Sequence, residues 1–276
     1  MSTKLPSIAI IGAGAMGGAI LAGLVAPGVE VSGGIRVTNR TAAKAATVAG
    51  AGVESWALEN DPDANLRAVR GAQVVLIGVK PGMVPDTLRA IAAALEPDAL
   101  VISVAAGVTT ATIESIVPNS VLRAMPNTPA IVGKAVTGLA AGSRATQEQA
   151  ALGRALFETV GTVVELPEAQ IDELGTISGS GPAYVYYLIE ELTKTAVKQG
   201  FSPAVASQLV NGTFLGAIEL LMTSGREPAD LRRQVTSPRG STERAIAELE
   251  KADLTALFDR ATGAALARSK ELAVGN

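Results

Sequence analysis

From Ile8 to Leu166 short apolar runs alternate with helical periodicity, and from Pro167 onward only helical periodicity remains. The first run, Ile8-Ala9-Ile10-Ile11, has four apolar residues, three of them β-branched, and reads as a buried strand. A helical pattern through Ala19, Ile20, Leu21 and Leu24 follows. Further strands are predicted over 35–38, 53–55, 73–79, 100–104, 121–124, 135–141 and 162–166, with helices over 42–50, 65–69, 83–95, 110–116 and 147–160 between them. Repeated strand–helix–strand units predict an α/β fold, a Rossmann-like, doubly wound parallel sheet.

The second half predicts helices over 170–177, 183–199, 203–222, 228–236, 242–250 and 254–272. The helix beginning at Pro203 is apolar on most faces (Val205, Leu209, Val210, Phe214, Leu215, Ile218, Leu220, Leu221), the pattern of a buried helix. A bundle of this size does not bury so much apolar surface alone. The expectation is therefore an all-helical dimerisation domain, 167–276, after a Rossmann-like domain, 1–166.

One competing reading concerns the N-terminus. The stretch from Ile8 to Val29 carries no charge and follows Lys4, as a signal peptide or membrane helix would. Glycines at 12, 14, 17, 18, 23 and 28 and the strand–helix alternation that follows argue against it. The same glycines supply the better reading. Ile11-Gly12-Ala13-Gly14-Ala15-Met16-Gly17 carries G-x-G-x-x-G between a strand and a helix, which predicts a dinucleotide pyrophosphate at the helix N-terminus. At the end of the next strand, where an acidic residue would hold a ribose 2′-hydroxyl, stand Asn39, Arg40 and Thr41. A cation beside an amide suits a 2′-phosphate, so NADPH is expected, with NADH as the alternative.

Composition narrows the chemistry. With 48% apolar residues but 3% aromatic, the 276-residue chain builds an aliphatic core. A net charge of -3 and no basic patch give no reason to expect nucleic acid. The chain has no cysteine and no histidine, which removes disulfides, thiolates, the commonest metal ligand and the usual acid–base side chain. No metal site and no membrane partner are expected, and a cytoplasmic location fits. Chemistry is left to hydroxyls, backbone groups, carboxylates, Lys, Arg and a cofactor.

Two polar, glycine-rich knots interrupt the helical half: Ser178-Gly179-Ser180-Gly181-Pro182 and Thr236-Ser237-Pro238-Arg239-Gly240-Ser241-Thr242. Each precedes a helix and offers N–H groups and hydroxyls to an anion, or simply caps that helix. Together they suggest a small carboxylate substrate.

These motifs, with Val79-Lys80-Pro81, Ala105-Ala106-Gly107-Val108-Thr109 and Arg123-Ala124-Met125-Pro126-Asn127-Thr128-Pro129, make the chain resemble the pyrroline-5-carboxylate reductases over almost its whole length. The resemblance implies hydride transfer from NADPH to the C=N carbon of 1-pyrroline-5-carboxylate, giving L-proline, by a homodimer or a larger oligomer built from dimers. It implies that Gly240, Ser241 and Thr242 hold the substrate carboxylate beside Ser237, that the Thr242 hydroxyl lies by the ring nitrogen, and that Glu168 is on the substrate side. For the cofactor it implies Ala105, Ala106 and Gly107 beside the nicotinamide, Val79, Lys80 and Pro81 along the ribose, and Asn65 at the adenosine. A protonated cyclic imine already accepts hydride well, so the missing histidine is unsurprising. Arg239, Arg233 and Glu227 depart from the family's usual Gly, Asp and His. The alternatives are a related Rossmann imine reductase or β-hydroxyacid dehydrogenase, and a non-catalytic NADP-binding regulator.

Overall fold

The computed structural model describes residues 3–273, with side chains through residue 271. The strands are β1 (Thr3–Leu5), β2 (Ile8–Ile11), β3 (Val29–Val31), β4 (Ile35–Asn39), β5 (Val53–Ala57), β6 (Val74–Ile77), β7 (Leu100–Ser103), β8 (Val121–Met125), β9 (Ala135–Ala141) and β10 (Gly161–Glu165). Eight form one sheet in the order β10-β9-β8-β7-β6-β2-β4-β5. β2 lies inside the sheet, paired in parallel with β4 and β6, which is why all four of its residues are buried.

Successive residues of β2 face opposite layers, as a pleated strand requires. Ile8 and Ile10 join the layer of Ile20, Leu24, Leu156 and Phe157 from α1 (Ala15–Leu24) and the later helix Gln147–Glu158. Ala9 and Ile11 join the layer of Val69, Leu88, Ile91 and Ile113, from helices Ala64–Val69, Val84–Ile91 and Thr110–Glu114. Helices on both faces make the expected doubly wound arrangement.

The sheet is not wholly parallel, which corrects the expectation. β8 and β9 pair antiparallel, Leu122 opposite Ala141. The cause is their connection. Between them the chain makes only a 3-10 turn, Thr128–Val132, whereas a parallel return needs a crossover element. The Gln147–Glu158 helix supplies that crossover for the next step, and β10 runs parallel to β9. A two-stranded parallel pair, β1 with β3, was also not anticipated; β3 closes the uncharged N-terminal stretch.

Two compact units result: one holds the chain through Ser180 together with its end from Ala265, the other is Gly181–Ala264. Strand signals stop at residue 166, but the packing of the first unit continues to 180. Ile171 is fully buried, and a Cβ at Gly138 of β9 would lie 2.8 Å from Leu174. The short helix Ile171–Leu174 is thus seated on the sheet.

In the second unit, helices Gly181–Lys198 and Pro203–Ser224 pack together, and Tyr184 meets Phe258 with ring centroids 6.1 Å apart. Only Ala206 and Val210 of the Pro203–Ser224 helix are buried. Leu209, Leu215, Ile218, Leu220 and Met222 are exposed, so a single chain leaves most of this apolar helix uncovered, as expected of a helix that one bundle cannot bury alone. By length and composition it is also the one helix among the described residues that could cross a membrane.

Candidate dinucleotide site and substrate loop

The glycine turn sits where β2 ends. Gly12 has φ +87°, and a Cβ there would lie 2.8 Å from Val79 Cγ1, so a side chain is excluded twice over. Its N–H and that of Ala13 both donate to Thr38 O, tying the turn to β4. A Cβ at Gly17 would stand 3.0 Å from Gly12 O, so α1 lies close against the turn. At Gly14, the N-cap of α1, a Cβ would meet nothing within 4 Å. The turn is therefore tight behind and open in front. Gly18 N is the first to donate back into the helix, to Gly14 O, leaving the N–H groups of Ala15, Met16 and Gly17 to an external acceptor. This geometry fits a pyrophosphate.

The other cofactor residues expected from the sequence gather at the carboxyl ends of adjacent strands. Ile11 ends β2, Asn39 ends β4, Val79, Lys80 and Pro81 follow β6, and Ala105, Ala106 and Gly107 follow β7. Gly78 explains how β6 approaches so closely: a Cβ there would lie 2.5 Å from Gly12 O. Asn39 is 4% exposed with its Nδ2 unpartnered, and the buried Asn65 Oδ1 is also unpartnered. An orphaned donor and an orphaned acceptor at this edge fit a polar ligand. Arg40 is exposed, and Thr41 caps the helix Ala42–Val48 by accepting from Lys44 N.

One residue here had no motif to announce it. Leu58 N and Glu59 N donate to Asn39 O and Arg40 O, so the strand pairing of β4 with β5 carries past their ends. Glu59 Oε1 then accepts from Ala42 N at 2.6 Å, placing a carboxylate beside the Arg40–Thr41 turn. Only the register of two strands reveals it.

Glu168, expected on the substrate side, has both carboxylate oxygens engaged within the chain. Its Oε1 accepts from Thr110 N at 2.6 Å and its Oε2 from Thr110 Oγ1 at 2.5 Å. Arg123, 2% exposed, lies 3.8 Å from the same carboxylate and donates to Asp172 at 2.5 Å. Nearby, Asn127 accepts from Val136 N and donates to Ser178 O, joining the loop after β8 to the segment before the second unit.

That segment corrects a second expectation. Residues Gly175–Gly179 are π-helical and continue directly from the short helix Ile171–Leu174. Ser180 N donates to Gly175 O, and Ser178 Oγ to Leu174 O. The Ser178 knot is thus wound into helix rather than presented as a loop. π-turns of this kind concentrate at functional sites.

The second knot is a true loop, and it ends at the helix Ser241–Glu250, capped by Gly240. Arg239 has φ 63°, in the left-handed region that favours glycine. Its N–H donates to Glu243 Oε2, which holds the turn. Gly240 N donates to Ser237 O at 2.9 Å, and a Cβ on Gly240 would crowd that oxygen. The Gly240 N–H, expected to bind a carboxylate, is therefore spent inside the loop. Ser241 and Thr242, in the first helical turn, keep N–H groups without a helical acceptor. Arg233 pairs with Asp230.

A Rossmann-type sheet, a glycine cradle for a dinucleotide and an appended helical unit define an oxidoreductase of the NAD(P)-dependent class. Residues 7–107 match the family model "NADP oxidoreductase coenzyme F420-dependent", and residues 168–272 match "Pyrroline-5-carboxylate reductase dimerisation". The chain is 40% identical to a pyrroline-5-carboxylate reductase of Pseudomonas aeruginosa, over 99% of this chain and 98% of that one. It is 36% identical to that of Corynebacterium melassecola, over 97% and 99%. A solved pyrroline-5-carboxylate reductase from Coxiella burnetii superposes with TM-score 0.85 at 35% identity, covering 96% and 97%. One from Plasmodium falciparum, with NADP bound, gives 0.82 at 27%, covering 97% and 98%. The chain belongs to the pyrroline-5-carboxylate reductase family.

Proposed function

We propose that this protein reduces 1-pyrroline-5-carboxylate to L-proline with NADPH. The observation that carries the reading is full-length kinship to reductases of this name together with an intact glycine cradle. NADPH, when bound, supplies the hydride. Gly12, Gly14 and the open first turn of α1 hold the pyrophosphate. Asn39, Arg40 and Thr41 favour a 2′-phosphate, Asn65 the adenosine, Val79, Lys80 and Pro81 the ribose, and the Ala105–Gly107 turn the nicotinamide. The first turn after Gly240 offers the Ser241 and Thr242 N–H groups to the substrate carboxylate, with Ser237 beside them. The Thr242 hydroxyl, half-buried, orients the imine nitrogen. Proximity and one hydrogen bond are enough for an imine that protonates readily.

The protein assembles through its helical unit, and we propose a homodimer built on the exposed apolar side of the Pro203–Ser224 helix. The proposal includes a cytoplasmic location, where reduced nicotinamide is available. A β-hydroxyacid dehydrogenase would need a lysine free for catalysis. On the helix after the Ser178 segment lysine comes only at Lys194 and Lys198, far along it, and Lys194 pairs with Glu190 and Glu191 at 2.6 and 2.8 Å, which push its pKa up. The deciding assay follows NADPH oxidation with pyrroline-5-carboxylate, with a β-keto acid and with buffer alone. Turnover with the imine only is expected; none with folded protein sinks the reading.

A further inference from the structure

We infer that Glu168 is a positioning residue for the loop that borders the nicotinamide, rather than a ligand of the substrate. The inference rests on the proposed reduction, with Ala105, Ala106 and Gly107 beside the ring.

That loop leaves β7 and enters the helix Thr110–Glu114. It reverses at Gly107, whose φ is +73°. At its start, Ala105 N donates to Ser103 Oγ at 3.2 Å. At its end stands Thr110, 4% exposed, whose N–H and hydroxyl go to the two oxygens of one carboxylate. The loop is therefore pinned at both ends. The outer pin comes from a residue 58 positions away in the chain.

Both Glu168 oxygens are turned to Thr110, an arrangement suited to holding a helix start. The carboxylate is 25% exposed, and Arg123 behind it is 2% exposed and also holds Asp172. The buried guanidinium lies 3.8 Å from Oε1, the oxygen that also accepts from Thr110 N, and adds its charge to the carboxylate's environment. Thr109 completes the end of the loop, its Oγ1 accepting from Thr112 N at 3.1 Å. A nicotinamide resting on small residues has no side chain there to correct its tilt. Its angle is then set by the backbone of this loop, and small displacements at a hydride donor are costly in rate.

The test compares Glu168→Ala, Glu168→Gln and Thr110→Val with Glu96→Ala. The last removes another long-range carboxylate–backbone bond of the same unit, Glu96 to Gly71 N. Saturation-transfer NMR with NADPH and no substrate reports the nicotinamide and adenine protons separately. Steady-state kinetics with the imine report kcat and KM.

Glu168→Ala and Thr110→Val are expected to weaken the nicotinamide signal relative to adenine. They should lower kcat about tenfold, less than a full 1 Å misplacement costs, while KM for the imine stays within about twofold. Glu168→Gln, which can still accept from Thr110 N, should be milder. Glu96→Ala should lower only thermal stability. A raised imine KM with an unchanged nicotinamide signal overturns the inference in favour of substrate contact. Variants that behave like Glu96→Ala overturn it in favour of simple fastening. A wild-type protein that binds NADPH but leaves the imine untouched would defeat the proposed function, while the NMR comparison would still decide this inference.

Discussion

Arg123 Nη2 lies 2.5 Å from Asp172 Oδ1, and it closes a contact between an interior strand and the last short helix of the first unit. The arginine is almost wholly buried, and the two carboxylates beside it offset the cost of burying its charge. Removing one partner of such a cluster costs far more than the cluster adds. Arg123→Met should destabilise the protein by about 3–5 kcal/mol, because Asp172 and Glu168 would lose their counter-charge. Adding Asp172→Asn should recover part of the loss. Denaturant unfolding of the single and double variants measures both.

Cofactor choice should turn on Arg40 and Glu59. Arg40→Ala is expected to lower kcat/KM for NADPH about tenfold, the loss of one charge-assisted contact, with little change for NADH. Glu59→Gln keeps an acceptor for Ala42 N while removing a negative charge beside the same turn. It should raise the NADPH-to-NADH ratio about two- to fivefold, as befits an exposed charge. A ratio indifferent to both changes would place the 2′-phosphate elsewhere.

Thr242→Ala should lower kcat by about 10- to 100-fold, the cost of one hydrogen bond to a charged group. KM for NADPH should hardly move. Thr242→Ser should restore most of the rate, since it returns the hydroxyl. Steady-state kinetics decide it: an unchanged kcat in the alanine variant would remove the hydroxyl from the reacting nitrogen.

Arg239 occupies a left-handed conformation that costs a non-glycine residue about 1–2 kcal/mol. Glycine relieves that strain but adds about 0.5–1 kcal/mol of entropy to the unfolded chain. Arg239→Gly should therefore stabilise modestly, by about 0.5 kcal/mol, with the backbone bond to Glu243 intact. Arg239→Ala keeps the Cβ and should bring no gain. Thermal melts of the two variants, side by side, separate conformation from charge.

Leu215, Ile218 and Met222 follow one another on one face of the Pro203–Ser224 helix and are 61%, 57% and 76% exposed in the single chain. Such a face is expected at a subunit contact. Leu215→Glu combined with Ile218→Glu should convert the oligomer to monomers in analytical ultracentrifugation. Retention of the oligomer would move the contact to another face.

Local features of this chain were legible from the residues alone. Gly12, Gly14 and Gly17 mark a turn because steric limits on the backbone act within a few residues. The run at Val74–Ile77 marks a buried strand, and the helical periodicity after Pro167 marks the second half as helical, because each pattern repeats along the chain itself. The cofactor edge followed from these, since strand ends in such a sheet share one side.

What the tertiary structure decided lies in partners distant along the chain. The reversal of β9 against β8 depends on how a short connection turns, and the continuation of the first unit to Ser180 depends on where Ile171 and Leu174 find apolar cover. The Ser178 knot reads as a loop by composition, yet hydrogen bonds to Leu174 and Gly175 wind it into helix. Glu59 reaches Ala42, and Glu168 reaches Thr110, only once strands and turns have been brought side by side. A sequence pattern records which residues can bury or turn. Which donor meets which acceptor is settled by packing, because a hydrogen bond needs both atoms at one place, however many residues separate them.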